Sequence, residues 1–205
     1  FMAKFNEREG NSCHIHLSLR SDSGEPVFAD KDAEHGMSTM FRHFLAGQIA
    51  AMKELSLFLA PNVNSYKRYV DGSFAPTAIA WGIDNRTCAL RVVGHGHALR
   101  VENRVPGGDV NQYLAVAAMI AAGLHGIDNK LELEDITEGN AYTADKVRVP
   151  TNLRDAAALF SASTIARDAF GAEVVEHYAN NARIEIAAYD AAVTDWERVR
   201  GFERL

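Results

Sequence analysis

Leu99-Arg100-Val101-Glu102-Asn103-Arg104-Val105 alternates charged with uncharged residues, and that alternation decides how the chain is built. Successive side chains of an extended strand point to opposite sides, so Arg100, Glu102 and Arg104 share one face while Leu99, Val101 and Val105 share the other. The apolar face packs into a core. The charged face is costly to cover unless the covering group is itself charged, such as a metal ion, a phosphate or a carboxylate. A strand of this design predicts a ligand site on the face of a sheet.

Toward the N-terminus, Cys13-His14-Ile15-His16-Leu17-Ser18-Leu19 repeats the pattern. His14, His16 and Ser18 face one way, with the two imidazoles roughly 7 Å apart at about 3.3 Å per residue. Metal–nitrogen bonds are only about 2 Å, so one tetrahedral ion cannot be held by both rings unaided. One histidine is expected to ligate a metal and the other to contact ligand beside it. An isolated His-x-His is more often a solvent-facing pair; the second charged strand, with Arg86 and Arg91 before it, argues for a site.

With 205 residues, 47% hydrophobic and 23% charged, the chain can bury one sizeable core. A net charge of −6 and arginines dispersed among apolar residues argue against nucleic acid or an anionic membrane as partner. Cys13 and Cys88 fall on the apolar side of predicted strands and read as reduced core thiols of a cytoplasmic protein. No apolar run reaches the roughly 18 residues of a membrane span, and no secretory leader is recognisable. A phosphate loop of the Gly-x-x-x-x-Gly-Lys-Ser/Thr type is missing and Gly94-x-Gly96 is too short for a dinucleotide fingerprint, so any nucleotide must bind on the sheet face.

The remaining pattern predicts a helix from Ser38 to Leu59, marked by Phe41, Leu45, Ile49 and Met52 and ended by Pro61. Strands follow at Thr77–Ile83 and Arg86–Val93, and Gly94-His95-Gly96-His97 reads as a hairpin connection rather than a metal tract. A small-residue helix is expected over Asn111–Ile127, another from a cap at Thr151 or Asn152 to Phe170, closed by Gly171. The tail from Ala172 to about Arg200 reads as helical, with Val174, Val175, Tyr178, Ile184 and Trp196 as buried candidates. The expected class is α+β: an antiparallel sheet with a ligand-binding face, packed by helices and followed by a helical C-terminal region.

Phe1-Met2-Ala3-Lys4, Gly10-Asn11-Ser12-Cys13-His14-Ile15-His16-Leu17-Ser18-Leu19, Tyr66-Lys67-Arg68, Asn85-Arg86, Arg91, Arg100-Val101-Glu102-Asn103-Arg104-Val105-Pro106 and Asn111-Gln112-Tyr113-Leu114 stand in an order and spacing that resembles the glutamine synthetase catalytic domain. The likeness is close over the first 115 or so residues and looser in the tail. It implies an ATP-dependent ligase that joins the γ-carboxylate of glutamate to ammonia or a larger amine through γ-glutamyl phosphate, with Mg²⁺ or Mn²⁺ as cofactor. On this resemblance His14 and Glu102 are metal ligands, His16 and Ser18 contact ATP, and Arg86 and Arg91 bind its phosphates. Gly10, Arg68 and Arg104 contact glutamate, and Arg86 and Arg104 carry the catalytic role. Residues 1–205 correspond to the C-terminal portion of that domain, with the N-terminal portion and its metal carboxylates absent. The isolated piece is then expected to be inactive, and the full-length protein a homo-oligomer.

The residues suit that chemistry, because phosphoryl transfer needs charge neutralised and held in line. Guanidinium bonds phosphate and carboxylate bidentately. Any one of Arg68, Arg86, Arg91, Arg100 and Arg104 could instead form a structural ion pair with Glu102, Asp84 or Asp109; five together exceed that need.

Two departures from the family pattern bear on the acceptor. Phe74, in Asp71-Gly72-Ser73-Phe74-Ala75-Pro76, takes the place of an acidic residue that closes the ammonium pocket, and Glu9 stands where an Asn is usual. An aromatic in place of an anion fits a larger amine, which points to a γ-glutamyl-amine ligase branch. Tyr142 falls where some bacterial members carry a nucleotidylated tyrosine, but its neighbours differ and it reads as an exposed loop residue. A non-catalytic assembly or ligand-binding module is the alternative; such a member would be expected to have lost Arg86, Arg104 or Glu102, and all three are present. A guanidine kinase is disfavoured by the Tyr-Lys-Arg and Asn-Arg blocks.

Overall fold

A computed structural model describes residues 10–204; the Phe1-Met2-Ala3-Lys4 block and Glu9 lie outside the described residues. The elements in chain order are β1 (Ile15–Leu17), α1 (Thr39–Met52), α2 (Ser56–Leu59), β2 (Trp81–Ile83), β3 (Leu90–Val93), β4 (Arg100–Asn103), α3 (Gln112–Asp128), α4 (Leu153–Ala162), α5 (Thr164–Phe170), α6 (Ala172–Ala191) and α7 (Asp195–Glu203), with short 3₁₀ turns between. The class is α+β, as the pattern predicts. No helix among the described residues is long and apolar enough to cross a membrane.

The four strands lie in the order β1-β4-β3-β2. β4 is antiparallel to both β1 and β3, but β2 runs parallel to β3, so the sheet is mixed rather than antiparallel. Parallel neighbours usually need a long crossover. Here only three residue pairs are matched, Trp81 with Leu90 through Ile83 with Val92, so the chain need return only about 7 Å, two residue steps. The loop between them does this with Asp84 in the left-handed region (φ 50°) and with Asn85, whose Oδ1 accepts from the Thr87 N–H and hydroxyl. The expected long strand from Thr77 is also shorter: Thr77–Ile79 pairs with Val147–Val149, through Ile79 N–H to Val147 O and Val149 N–H to Thr77 O, instead of joining the sheet.

Helix α1 begins at Ser38, whose hydroxyl accepts from the Phe41 N–H, and lays Phe41, Phe44 and Leu45 on the apolar side of the sheet. There they meet Trp81, Leu90, Val92 and Val101, with Phe28 stacked on Phe41 at 4.2 Å between ring centroids. Fully burying each such side chain is worth about 1.5–3 kcal/mol. Helix α3, capped by the Asn111 side chain, crosses α1 where Gly47 meets Gly126; an added Cβ on Gly47 would lie 2.1 Å from the Ala122 carbonyl oxygen. A second core forms among the helices, around Phe58, Phe160, Phe170 and Tyr178.

Several expectations for the helices are corrected. The helix expected from Ser38 to Leu59 is divided, α1 ending at Met52 and α2 beginning at Ser56, and the helical tail is divided between α6 and α7. The helix predicted to run unbroken to Phe170 is divided at Ser163, whose hydroxyl accepts from Ala166 N–H and donates to Glu54 Oε2 at 2.5 Å. In the tail, Val175 is buried but Ile184 and Trp196 are 62% and 68% exposed. The buried stripe of α6 is Val175, Ala179, Ala182 and Ile186, spaced four, three and four, and Ile184 sits two residues off it on the opposite side of the helix.

Candidate active site

The strand register places His16 opposite Glu102 and Glu102 opposite Arg91, so one row of functional side chains crosses β1, β4 and β3. Residues two positions away on the same face, His14 and Arg104, extend the cluster toward one end of the sheet, and Arg100 toward the other. The apolar partners of the alternation, Val101 and Val105, are fully buried on the core side.

Glu102 is the hub. Its Oε2 accepts from Arg91 Nη1 at 2.9 Å, and its Oε1 accepts from Arg104 Nη1 at 3.0 Å and lies 3.0 Å from His14 Nδ1 and 3.7 Å from His16 Nε2. Burial alone would raise the Glu102 carboxyl, but the Arg91 hydrogen bond and the charges of Arg104, His14 and Arg91 overcome it and hold it below the ordinary range. The carboxylate is therefore ionised. Burial, helped by Arg104, lowers His14; burial, helped by Arg100, Arg91 and Arg104 against Glu102, lowers His16. Both rings are neutral at pH 7 and keep a lone pair. Arg100 Nε donates to His16 Nδ1 at 3.1 Å, which leaves the proton of a neutral His16 on Nε2.

Arg91 is shared between Glu102 and Asp84, donating from Nε to Asp84 Oδ1 at 2.9 Å. Those two bonds raise its pKa despite partial burial, and they hold Asp84 low. Arg104 is buried and uses Nη2 on the Phe74 carbonyl at 3.2 Å, while its buried Nε–H has no hydrogen-bond partner among the described residues. A buried guanidinium N–H left unmet costs free energy unless a group outside the described residues meets it. Arg68, expected to contact glutamate, is buried, with Nη1 on Val105 O at 2.8 Å and Nη2 on Arg104 O at 2.9 Å. It fixes the backbone that carries Arg104.

Arg86 lies exposed in the β2–β3 loop, lining a groove with Asp84, Asn85, Thr137 and Glu138, and forms no hydrogen bond or ion pair among the described residues. Ser18 is exposed one residue beyond β1. Gly10 is half-buried and precedes Asn11–Cys13, which runs along Pro106–Gly108 just past Arg104: the Cys13 N–H donates to Pro106 O and the Gly108 N–H to Asn11 O. The structure thus gathers His14, His16, Arg91, Arg100, Glu102 and Arg104 on one face, with Arg86 beside it and Arg68 beneath.

A divalent cation is compatible with part of this set. Two bonds of about 2 Å to one ion set their donor atoms roughly 3 Å apart, the separation of His14 Nδ1 and Glu102 Oε1 (3.0 Å). A nitrogen and a carboxylate oxygen suit Mg²⁺ or Mn²⁺. No group of three or more His, Cys, Asp and Glu able to hold a metal occurs among the described residues, so the set is partial here.

Three features escape a reading by residue pattern. Asn103, on the core side of β4, accepts the Val105 N–H on its Oδ1 at 3.0 Å and turns the strand off just before Arg104. Phe74 adopts φ 60° and presents its carbonyl to Arg104. Tyr142 is not exposed; it is 8% accessible, and its hydroxyl donates to Ala75 O at 3.1 Å. The Asx position before Arg104 was readable in principle; the other two depend on contacts distant in sequence.

The glutamine synthetase catalytic domain matches residues 1–200. A gamma-glutamylethanolamide synthetase of Streptomyces coelicolor is 64% identical over 205 residues, 100% of this chain and 44% of the relative. A glutamate–isopropylamine ligase of a Pseudomonas species is 43% identical over 205 residues, 98% of this chain and 45% of the relative. Among solved structures, GmaS in complex with ADP superposes with a TM-score of 0.89 at 34% identity, covering 99% of this chain and 49% of that one. The chain spans a little under half the length of the relatives it matches, and it belongs to the glutamine synthetase family.

Proposed function

We propose that this chain is the C-terminal portion of a longer ATP-dependent ligase that joins the γ-carboxylate of glutamate to an organic amine, releasing ADP and phosphate. The observation that carries the reading is the cross-strand row His16–Glu102–Arg91 with Arg104 beside it, one ionised carboxylate among guanidiniums of which one N–H is unmet. ATP transfers its γ-phosphoryl group to the glutamate γ-carboxylate; the amine then attacks that acyl phosphate and phosphate leaves. Arg91 and Arg86 face the phosphates, with His16 and Ser18 on the nucleotide. Arg104 and Gly10 orient glutamate, and Arg68 acts by holding the Arg104 backbone. His14 and Glu102 are the residues that would hold Mg²⁺ or Mn²⁺, which supplies positive charge against the triphosphate.

Phe74 favours an organic amine over ammonium. An aromatic ring cannot deprotonate ammonium and draws it in more weakly than a carboxylate does, but it offers an apolar wall to a carbon chain. Two relatives with this architecture are named for ethanolamide and isopropylamine products or substrates, in keeping with this choice. ATP, glutamate and two unpaired cysteines suit a cytoplasmic enzyme; by the resemblance to its family, the full-length protein is a homo-oligomer.

The test is phosphate release from ATP and glutamate by the full-length protein with ammonium, ethanolamine, isopropylamine and a series of polyamines. Turnover fastest with one of the organic amines is expected. Fastest turnover with ammonium overturns the acceptor assignment and leaves the ligase; no turnover with any amine favours a non-catalytic module.

A further inference from the structure

Phe74 holds a backbone conformation that a phenylalanine does not choose, at φ 60°, and its ring is 60% exposed, so packing of the ring is not what keeps it there. The backbone of the loop is held instead: Ser73 Oγ donates to Val70 O at 2.6 Å and accepts from the Ala75 N–H at 3.4 Å, and its carbonyls are bonded from outside the loop. Two adjacent ones are gripped from different sides: Phe74 O by Arg104 Nη2 at 3.2 Å and Ala75 O by the Tyr142 hydroxyl at 3.1 Å.

Tyr142 is itself anchored. Its carbonyl accepts from Arg148 Nη2 at 2.7 Å, and Arg148 Nη1 donates to Thr77 Oγ1 at 3.0 Å. The Thr77 hydroxyl donates in turn to Asp71 Oδ1 at 2.6 Å, on the far side of the same loop. Residues 142–148 therefore form a strap that fastens the loop 71–77 at Ala75 and Thr77, Thr77 closes the loop onto Asp71, and Arg104 ties Phe74 to the Glu102 hub. Burial pushes the Tyr142 phenol above its ordinary value, so the hydroxyl remains a donor throughout the neutral range.

We propose that Tyr142 is a positioning residue for amine selection: by holding the Ala75 carbonyl it keeps Phe74 in its left-handed conformation and sets where the benzyl ring stands beside the acceptor. This rests on the reading above that the loop 71–76 borders the amine pocket. Tyr142 touches no reacting atom; it acts through the loop. Loss of its hydroxyl frees one of two adjacent anchors, and the ring gains alternative positions that blunt the distinction between amines.

The experiment compares the full-length enzyme with Tyr142→Phe, Phe74→Ala and the double variant, measuring kcat and KM for the amine it turns over best, for ammonium, and for ATP and glutamate. Tyr142→Phe is expected to raise KM for the preferred amine and narrow its advantage over ammonium by about three- to ten-fold, the worth of one hydrogen bond. KM for ATP and glutamate and the melting temperature should stay near those of the unsubstituted enzyme. In the Phe74→Ala background the same change should have no further effect on amine preference, because the ring it positions is gone. Unchanged amine preference in Tyr142→Phe overturns the proposal, as does an equal rise in KM for all three substrates, which marks a general structural role. Should Tyr142→Phe fail to fold, Thr77→Val unties the same strap one bond further out, and it must then narrow the preference in the same way. Failure of the unsubstituted enzyme to turn over any amine defeats the ligase reading itself and is seen before any variant is made.

Discussion

Glu102 stands directly opposite Arg91 across β4 and β3, and Arg91 Nη1 donates to Glu102 Oε2 at 2.9 Å. The same carboxylate accepts from Arg104, so it is the only anion placed between the two buried or half-buried guanidiniums among the described residues. Removing its charge leaves those two cations facing each other. Glu102→Gln in the full-length protein is expected to cost about 3 kcal/mol of stability, as for breaking a buried pair, and to abolish turnover. Urea denaturation and the phosphate-release assay check both.

Close approach of α1 and α3 gives a second prediction. Gly47→Ala places a methyl 2.1 Å from the Ala122 carbonyl oxygen and 2.6 Å from the Gly126 nitrogen, so the helices must separate. A loss of about 3 kcal/mol, the upper end for overpacking, is expected in thermal denaturation. Gly201→Ala in α7 meets nothing within 4 Å and is the matched control. There alanine should stabilise by about 0.5 kcal/mol, because it lowers the entropy cost of forming the helix.

Acid should weaken the fold in two stages. His14 and His16 are held below their ordinary value of 6.5, so as pH falls below 6.5 the unfolded chain takes up protons that the folded one refuses, and stability declines. Glu102 is held below its ordinary 4.5, so its contribution is intact above that value and is lost as pH falls through the folded value. Unfolding free energies measured from pH 8 down to about 2 should fall with decreasing pH across both stages. The first stage should be smaller in a His14→Gln, His16→Gln variant; an unchanged profile would contradict the assignment of both rings as neutral.

Cys88 is fully buried and its thiol is pushed up to about 11, chiefly by burial, whereas Cys13 is partly accessible. Iodoacetamide at pH 8, followed by peptide mass spectrometry, should label Cys13 in minutes and Cys88 only after denaturation. Equal labelling in the native protein would mean that the small cluster of Cys88 with Ala78, Ala80 and Ala141 opens freely.

The charged face was legible because strand alternation is a local rule: Arg100, Glu102 and Arg104 had to share a side, as had His14 and His16. The convergence of both strands on Glu102 follows from an antiparallel register that the sequence does not state, yet two polar faces of equal design leave few other arrangements. The parallel placement of β2 was hidden, because six intervening residues ordinarily mean a hairpin and only the shortness of the strands permits otherwise. The break at Ser163 was hidden for another reason. A serine inside a helical pattern is unremarkable until its hydroxyl finds Glu54, more than a hundred residues earlier in the chain. Tyr142 reads as exposed from its neighbours in sequence because its burial comes from the loop that it fastens.

The division of the interior into two cores bears on how such a chain can change over generations. Phe58, Phe160, Phe170 and Tyr178 interlock among themselves, and α3 separates them from the rings beneath the sheet, turning Ala115 to one core and Ala118 and Ala122 to the other. Exchanges in the tail must be matched by α2 and α3 as well, since Phe58, Ala118 and Ala122 line the same core. The rows on the sheet answer to a different constraint, since each exchange there alters a charge that several partners share. Substitutions in the helical core are thus judged by volume, and those on the face of the sheet by charge.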